Sequence, residues 1–219
     1  ALSIFTKLGG VPWRAKEPMS PVDAFLAIST VIKPEVLGIK RKAGFAALQI
    51  YNNWGEYEKS VYGKLMFVIE EKGMLSLGDR ESEDRFVQLI STVAIAIKGK
   101  NIIVHLTDLY SEEFYMLLFE ALKNEGAEEV KIIRIQRTSP LRLYHNIKNP
   151  SQAWPKVGAY WYLEPKIAHL YTTGRWRYYP HRPPYAIPGN TVRPLQISLE
   201  YPKDEKITTV SYTHLTLPT

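Results

Sequence analysis

Apolar residues come first in three short blocks: residues 24–30 (Ala-Phe-Leu-Ala-Ile-Ser-Thr), 44–51 (Gly-Phe-Ala-Ala-Leu-Gln-Ile-Tyr) and 64–70 (Lys-Leu-Met-Phe-Val-Ile-Glu). Runs this short, punctuated by Asn52-Asn53 and Lys72-Gly73, predict buried strands. The spacing then changes. Over residues 82–97, Phe86, Leu89, Ile90, Val93, Ala94 and Ile97 recur on one face of a helix. Ser82 is the predicted N-cap, Glu83 and Asp84 fall in the first turn where the helix dipole favours anions, and Gly99 is the stop. Residues 101–106 (Asn-Ile-Ile-Val-His-Leu) predict a fourth strand. A second helix follows over 111–124, capped by Ser111, with Phe114, Met116, Leu117, Phe119 and Leu122 as its apolar face and Gly126 as its end. Residues 129–135 predict a fifth strand.

Three strands, helix, strand, helix, strand is the element order of the ribonuclease H-like fold, a mixed sheet with helices on its faces. The expected architecture is therefore an α/β, ribonuclease H-like, mixed five-stranded sheet with flanking helices, plus a C-terminal aromatic and basic β extension. That extension is visible as a change of texture after Ile135. Residues 154–185 hold nine Trp or Tyr, together with Lys156, Lys166, Arg175, Arg177, Arg182, Pro180, Pro183 and Pro184. Residues 158–163 and 167–172 predict a strand pair, and 193–200 a last strand. The stretch is too aromatic for a disordered linker.

Composition narrows the chemistry. With no cysteine, disulfides, thiol catalysis and cysteine-ligated zinc or iron–sulfur centres are excluded. The longest apolar runs, such as 93–97 and 102–104, fall far short of the ~20 residues of a membrane helix. Net charge is unevenly spread. Residues 1–130 carry 15 Lys+Arg against 18 Asp+Glu, whereas residues 131–219 carry 13 against 4. A basic half points to a polyanion-facing surface, and its plainer alternative is a basic protein with an uneven surface.

Specific strings add to this picture. Lys7-Leu8-Gly9-Gly10-Val11-Pro12-Trp13 resembles the Lys-Leu-Gly-Gly lead-in to the PIWI domain of Argonaute proteins. Asp23-Ala24-Phe25-Leu26-Ala27-Ile28-Ser29-Thr30 is similar to the first PIWI strand, and Ile103-Val104-His105-Leu106-Thr107-Asp108 to the strand that ends in His or Tyr, Arg, Asp, Gly. Residues 170–174, ending Thr-Thr-Gly, and Asn190-Thr191-Val192-Arg193-Pro194-Leu195 resemble two later landmarks, the second with Asn190 in place of a glycine. Singly these are weak; five in order across residues 7–195 are jointly specific. The short loops bring the prokaryotic or archaeal branch closest.

The resemblance implies guide-directed nucleic-acid binding, in which bases of a guide RNA or DNA read a complementary target strand and the protein holds the backbones. In slicing relatives, aspartates hold two divalent ions that activate water. The positions that match those aspartates are Ser29 and Thr107 here, and a hydroxyl is a poor substitute for a carboxylate against a hard dication. Asp108 lies one step on, which on a strand points to the opposite face. Asp23 lies at the other end of its strand. Glu83 or Glu81 match the helix glutamate of slicing sites, and their plainer role is charge at a helix N-terminus. The expectation is thus no catalytic residues and no cofactor. Lys7, Arg142, Arg175, Arg177 and Arg193 are the nucleic-acid-binding candidates, each set against the plainer reading of a solvated surface residue. Gly9 and Gly10 read as a tight turn. For single aromatics the core role is preferred to stacking. His105 and His169 read as core histidines rather than metal ligands, and His145 and His181 lack ligand spacing.

Two alternatives stay open. One is a Mg2+- or Mn2+-dependent endonuclease that uses Glu83 and Asp108. The other is a protein-interaction scaffold with an acidic partner. Residues 1–20 are expected to lead in from a guide-end-binding domain of the same protein, 21–202 to form the PIWI-like domain and 203–219 a tail, with 211–219 non-native in character. The resemblance also permits an associated effector protein, a cytoplasmic setting and a place in prokaryotic host defence.

Overall fold

The computed structural model describes residue 18 and residues 21–32, 41–69, 73–136, 139, 159–171 and 194–206. Nine strands form one sheet: β1 (Ala24–Ile32), β2 (Arg41–Asn52), β3 (Tyr57–Ile69), β4 (Leu75–Leu77), β5 (Asn101–Leu106), β6 (Glu129–Gln136), β7 (Tyr160–Glu164), β8 (Ile167–Leu170) and β9 (Leu195–Tyr201). The helices are α1 (Arg80–Ser91), α2 (Ala94–Ile97) and α3 (Glu112–Asn124). Strand order is β4-β3-β2-β1-β5-β6-β9-β8-β7. β1, β5 and β6 run parallel at the centre, and the other pairings are antiparallel.

The five expected central strands are present, and β4 was missed because three residues are too few to show a period. The C-terminal extension is continuous with the sheet, since β9 pairs with β6 and carries β8 and β7 outward. The first helix differs from expectation. Asp79 caps α1, its carboxylate accepting from the Ser82 backbone N–H at 2.8 Å. Ser82 is buried, and its hydroxyl accepts instead from the Met66 N–H on β3. The helix breaks after Ser91, so residues 82–97 form two helices, and Ile95 is left almost fully exposed. In α3 the Ser111 cap is present, accepting from the Phe114 N–H. Its buried face is Phe114, Tyr115, Leu118, Ala121 and Leu122, whereas Met116 is exposed. Gly126 takes φ +89 beyond the end of α3, a backbone angle that costs glycine nothing.

The sheet has two differently dressed faces. On one, Leu26, Ile28, Leu48, Phe67, Val104 and Leu106 pack with Phe86 and Ile90 of α1 and Phe114 and Leu118 of α3. On the other, Phe25, Ile103, Ile133, Ala168, Leu170, Ile197 and Leu199 form a second cluster. Alternation along each strand decides which residue joins which face.

Candidate functional site

β1 and β5 are parallel neighbours whose pairing ends at Ile28 opposite Leu106, where β5 stops while β1 runs on to Ile32. Ser29 and Thr107 are the next residues on each chain, and both are exposed. By alternation they share the face of Phe25 and Ile103, opposite the helices. The sheet thus brings side by side the two positions that the sequence singles out.

Asp108 follows Thr107 in the bend beyond β5 and reaches to Thr30 of β1. Its Oδ2 accepts from Thr30 Oγ1 at 2.8 Å and from Thr107 Oγ1 at 3.3 Å, and the Tyr110 hydroxyl donates to Thr30 Oγ1 at 3.1 Å. Thr30 belongs to the helix-side face, one step from Ser29. Tyr110 is buried, and burial pushes its phenol well above its ordinary range, so it remains a donor. Its ring stacks on Phe114 with centroids 4.1 Å apart. Its N–H donates to the Tyr115 hydroxyl at 3.2 Å. β4 clamps the same loop: Leu75 N–H donates to Leu109 O and Ser111 N–H donates to Leu75 O, both at 2.8 Å. Asp108 is therefore the acceptor that ends a chain of hydroxyls, in a loop held from two sides.

The other acidic candidates are elsewhere. Asp23 Oδ2 accepts from Asn101 N–H at 2.9 Å, tying the start of β1 to the start of β5. Glu81 pairs with Arg85 along α1. Glu83 lines a cleft of about 480 Å³ with Glu113, Glu120, Ser111 and Phe114, on the helix side of the sheet. Among the described residues no three His, Cys, Asp or Glu side chains gather as a metal site would require. His105 lies on the Ser29 face with its ring 5.7 Å from that of Phe25, and burial lowers its pKa to about 4. His169 is buried and stacked 4.9 Å from Trp161, and among the described residues no group meets hydrogen-bond geometry with either ring nitrogen, Gln196 being the nearby polar side chain. Desolvation likewise lowers its pKa, against a smaller opposing effect of Gln196.

Lys7, Arg142, Arg175, Arg177 and Arg193 lie outside the described residues, as do Gly9, Gly10, His145 and His181. Three described cations of the basic half are engaged within the chain: Arg134 with Glu200 at 2.7 Å, Lys131 with Glu205 at 2.9 Å, and Lys203 with Glu112. Sequence reasoning missed Thr30, Tyr110 and Tyr115, whose roles depend on contacts across the sheet. It also missed Val31, Phe45 and Tyr62, which are exposed on the Ser29 face. For Phe45 and Tyr62 the signal was available, because each falls at the parity opposite to the buried residues of its strand. Among the described residues no helix is long and apolar enough to cross a membrane.

No protein-family profile and no curated protein matches the chain. Solved structures do. Two structures of Aquifex aeolicus Argonaute superpose with TM-scores of 0.63 and 0.64 at 17% and 16% identity, each over 95% of this chain and 26% of that one. A structure of Aa-Ago with externally bound siRNA gives 0.58 at 17% identity, over 92% and 25%. The chain spans about a quarter of the length of these Argonautes. The likeness is one of fold, which is Argonaute-like and ribonuclease H-like.

Proposed function

We propose that the chain is a PIWI-like domain that binds a guide strand paired to its target and leaves both intact, with any cleavage or defence response delegated to a separate effector protein. The observation that carries this reading is the placement of Ser29 and Thr107 directly beyond the last β1–β5 pair, Ile28 and Leu106, with Asp108 bonded to Thr30. A two-metal centre needs several anionic oxygens aimed at one point. Two hydroxyls do not fit that need; Glu83 lies on the helix side of the sheet, and the Asp108 carboxylate is taken up by the Thr30 and Thr107 hydroxyls. Neutral hydroxyls leave a different capability. They donate hydrogen bonds to phosphate oxygens without a dication to offset carboxylate repulsion.

The fold and the basic C-terminal half support nucleic acid as the partner, and base pairing supplies the sequence reading. The test is anisotropy of a labelled guide–target duplex with the full chain over a salt series, beside a cleavage assay in Mg2+ and Mn2+. Affinity should fall linearly in log–log form, with a slope of about −0.9 per phosphate contact, and the duplex should stay whole. A guide-positioned cut that disappears in Asp108→Ala would favour the endonuclease. Salt-insensitive or absent binding would favour the scaffold.

A further inference from the structure

The part of the Ser29 face that covers β1 to β3 carries a feature with no assigned role. Strand register aligns two rows across it, Ser29–Ala47–Tyr62 and Val31–Phe45–Lys64. Val31 is 70% exposed, Phe45 56% and Tyr62 67%. Large apolar side chains that are contiguous and open to water mark a contact surface. The neighbouring row is Ala27–Gln49–Ser60, with the Ser60 and Tyr62 hydroxyls 3.1 Å apart. These nine residues include one cation, Lys64, and no carboxylate.

A layer of protein laid on this face would have to desolvate Lys64, Gln49, Ser29 and Ser60, at a cost that rises for each group left unpaired. A sugar–phosphate strand meets the same groups with acceptors and keeps them wet, while sugar and base faces cover the rings. We propose that this face docks the backbone of a nucleic-acid strand without a metal ion, Lys64 taking a phosphate, Phe45 and Tyr62 lying against sugars or bases, and Ser29 donating from the inner border. The inference rests on the function proposed above and names the surface that carries it.

The experiment measures affinity of the full chain for a labelled guide–target duplex in EDTA, for the parent, for Phe45→Ser with Tyr62→Ser, for Lys64→Ala, and for Lys98→Ala as a surface control at the end of α2. The aromatic double variant should bind roughly fivefold or more weakly. Lys64→Ala should make the salt slope shallower by about one phosphate contact, and Lys98→Ala should match the parent. Circular dichroism verifies that each variant is folded. Parent-like binding by both face variants overturns the inference and leaves the proposed function standing. Binding that appears only with Mg2+ overturns its metal independence. A parent that self-associates until the face variants disperse it makes the face a contact between copies, which also overturns it. No binding by the parent under any condition defeats the proposed function itself.

Discussion

Asp108→Ala separates a structural carboxylate from a catalytic one. Asp108 accepts from Thr30 Oγ1 at 2.8 Å, and Thr30 in turn accepts from the Tyr110 hydroxyl at 3.1 Å. Removing the carboxylate leaves a partly buried hydroxyl with no acceptor for its proton. A lost hydrogen bond to a charged group costs about 1.5–3 kcal/mol; the exposed Thr107 side of the carboxylate lies in water, so the lower end, about 1.5 kcal/mol, is expected. In a chain of this length that lowers Tm by roughly 3–6 °C. The assay is urea unfolding of the parent, Asp108→Ala, Thr30→Val and the double variant. Because the two side chains share one bond, the cycle should close with a coupling of about 1 kcal/mol. Duplex affinity should be unchanged, because the Asp108 carboxylate is engaged by Thr30 and Thr107 and is not among the groups offered to the strand. Additive single-variant effects would refute the bond as a stabilising contact, and a Mn2+-dependent activity lost in Asp108→Ala would refute the structural role altogether.

Acidification gives a second check. His105 titrates at about 4 when folded against about 6.5 when unfolded, so between these values the unfolded chain binds more protons. Stability is complete above the unfolded value and is lost as pH falls toward 4, by up to ~1.4 kcal/mol per unit and less for the part of the ring that meets solvent. His169 acts in the same direction. His105→Leu should flatten the curve measured by denaturation from pH 7 to 4, and an unchanged slope would contradict the assignment. Ser29→Asp with Thr107→Asp puts carboxylates directly beyond the last β1–β5 pair; calorimetric titration should find Mn2+ binding that the parent lacks, and silence would mean that the two positions do not converge. Gly63→Ala sets a Cβ 2.3 Å from Leu89 Cδ1 of α1. Overpacking of this kind costs about 1–3 kcal/mol, read as a lower urea midpoint, and a neutral result would show that Leu89 has room to move.

Local pattern alone determined much of this molecule. Apolar blocks at strand length, the helical spacing around Phe86 and Ile90, the Ser111 cap and the Asn52 turn each act over a few residues, so they are legible without the fold. The Asn52 side chain accepts from both Trp54 and Glu56 N–H groups, as a turn former should. The replacement of acids by Ser29 and Thr107 was also visible, because it is a matter of identity. What adjoins what was not. Asp79 displaced Ser82 as cap because Met66 of β3, distant in sequence, takes the Ser82 hydroxyl. The C-terminal strands joined the main sheet through β9 and β6, a pairing of residues 60 to 69 positions apart. Thr30, the shorter-bonded partner of Asp108, lies 78 residues away on β1, and the open rows from Ser29 to Tyr62 exist only through register. Periodicity assigns a side chain to a face, but only the packed sheet decides what stands beside it, because strand order and register are set by long-range burial that no short window contains.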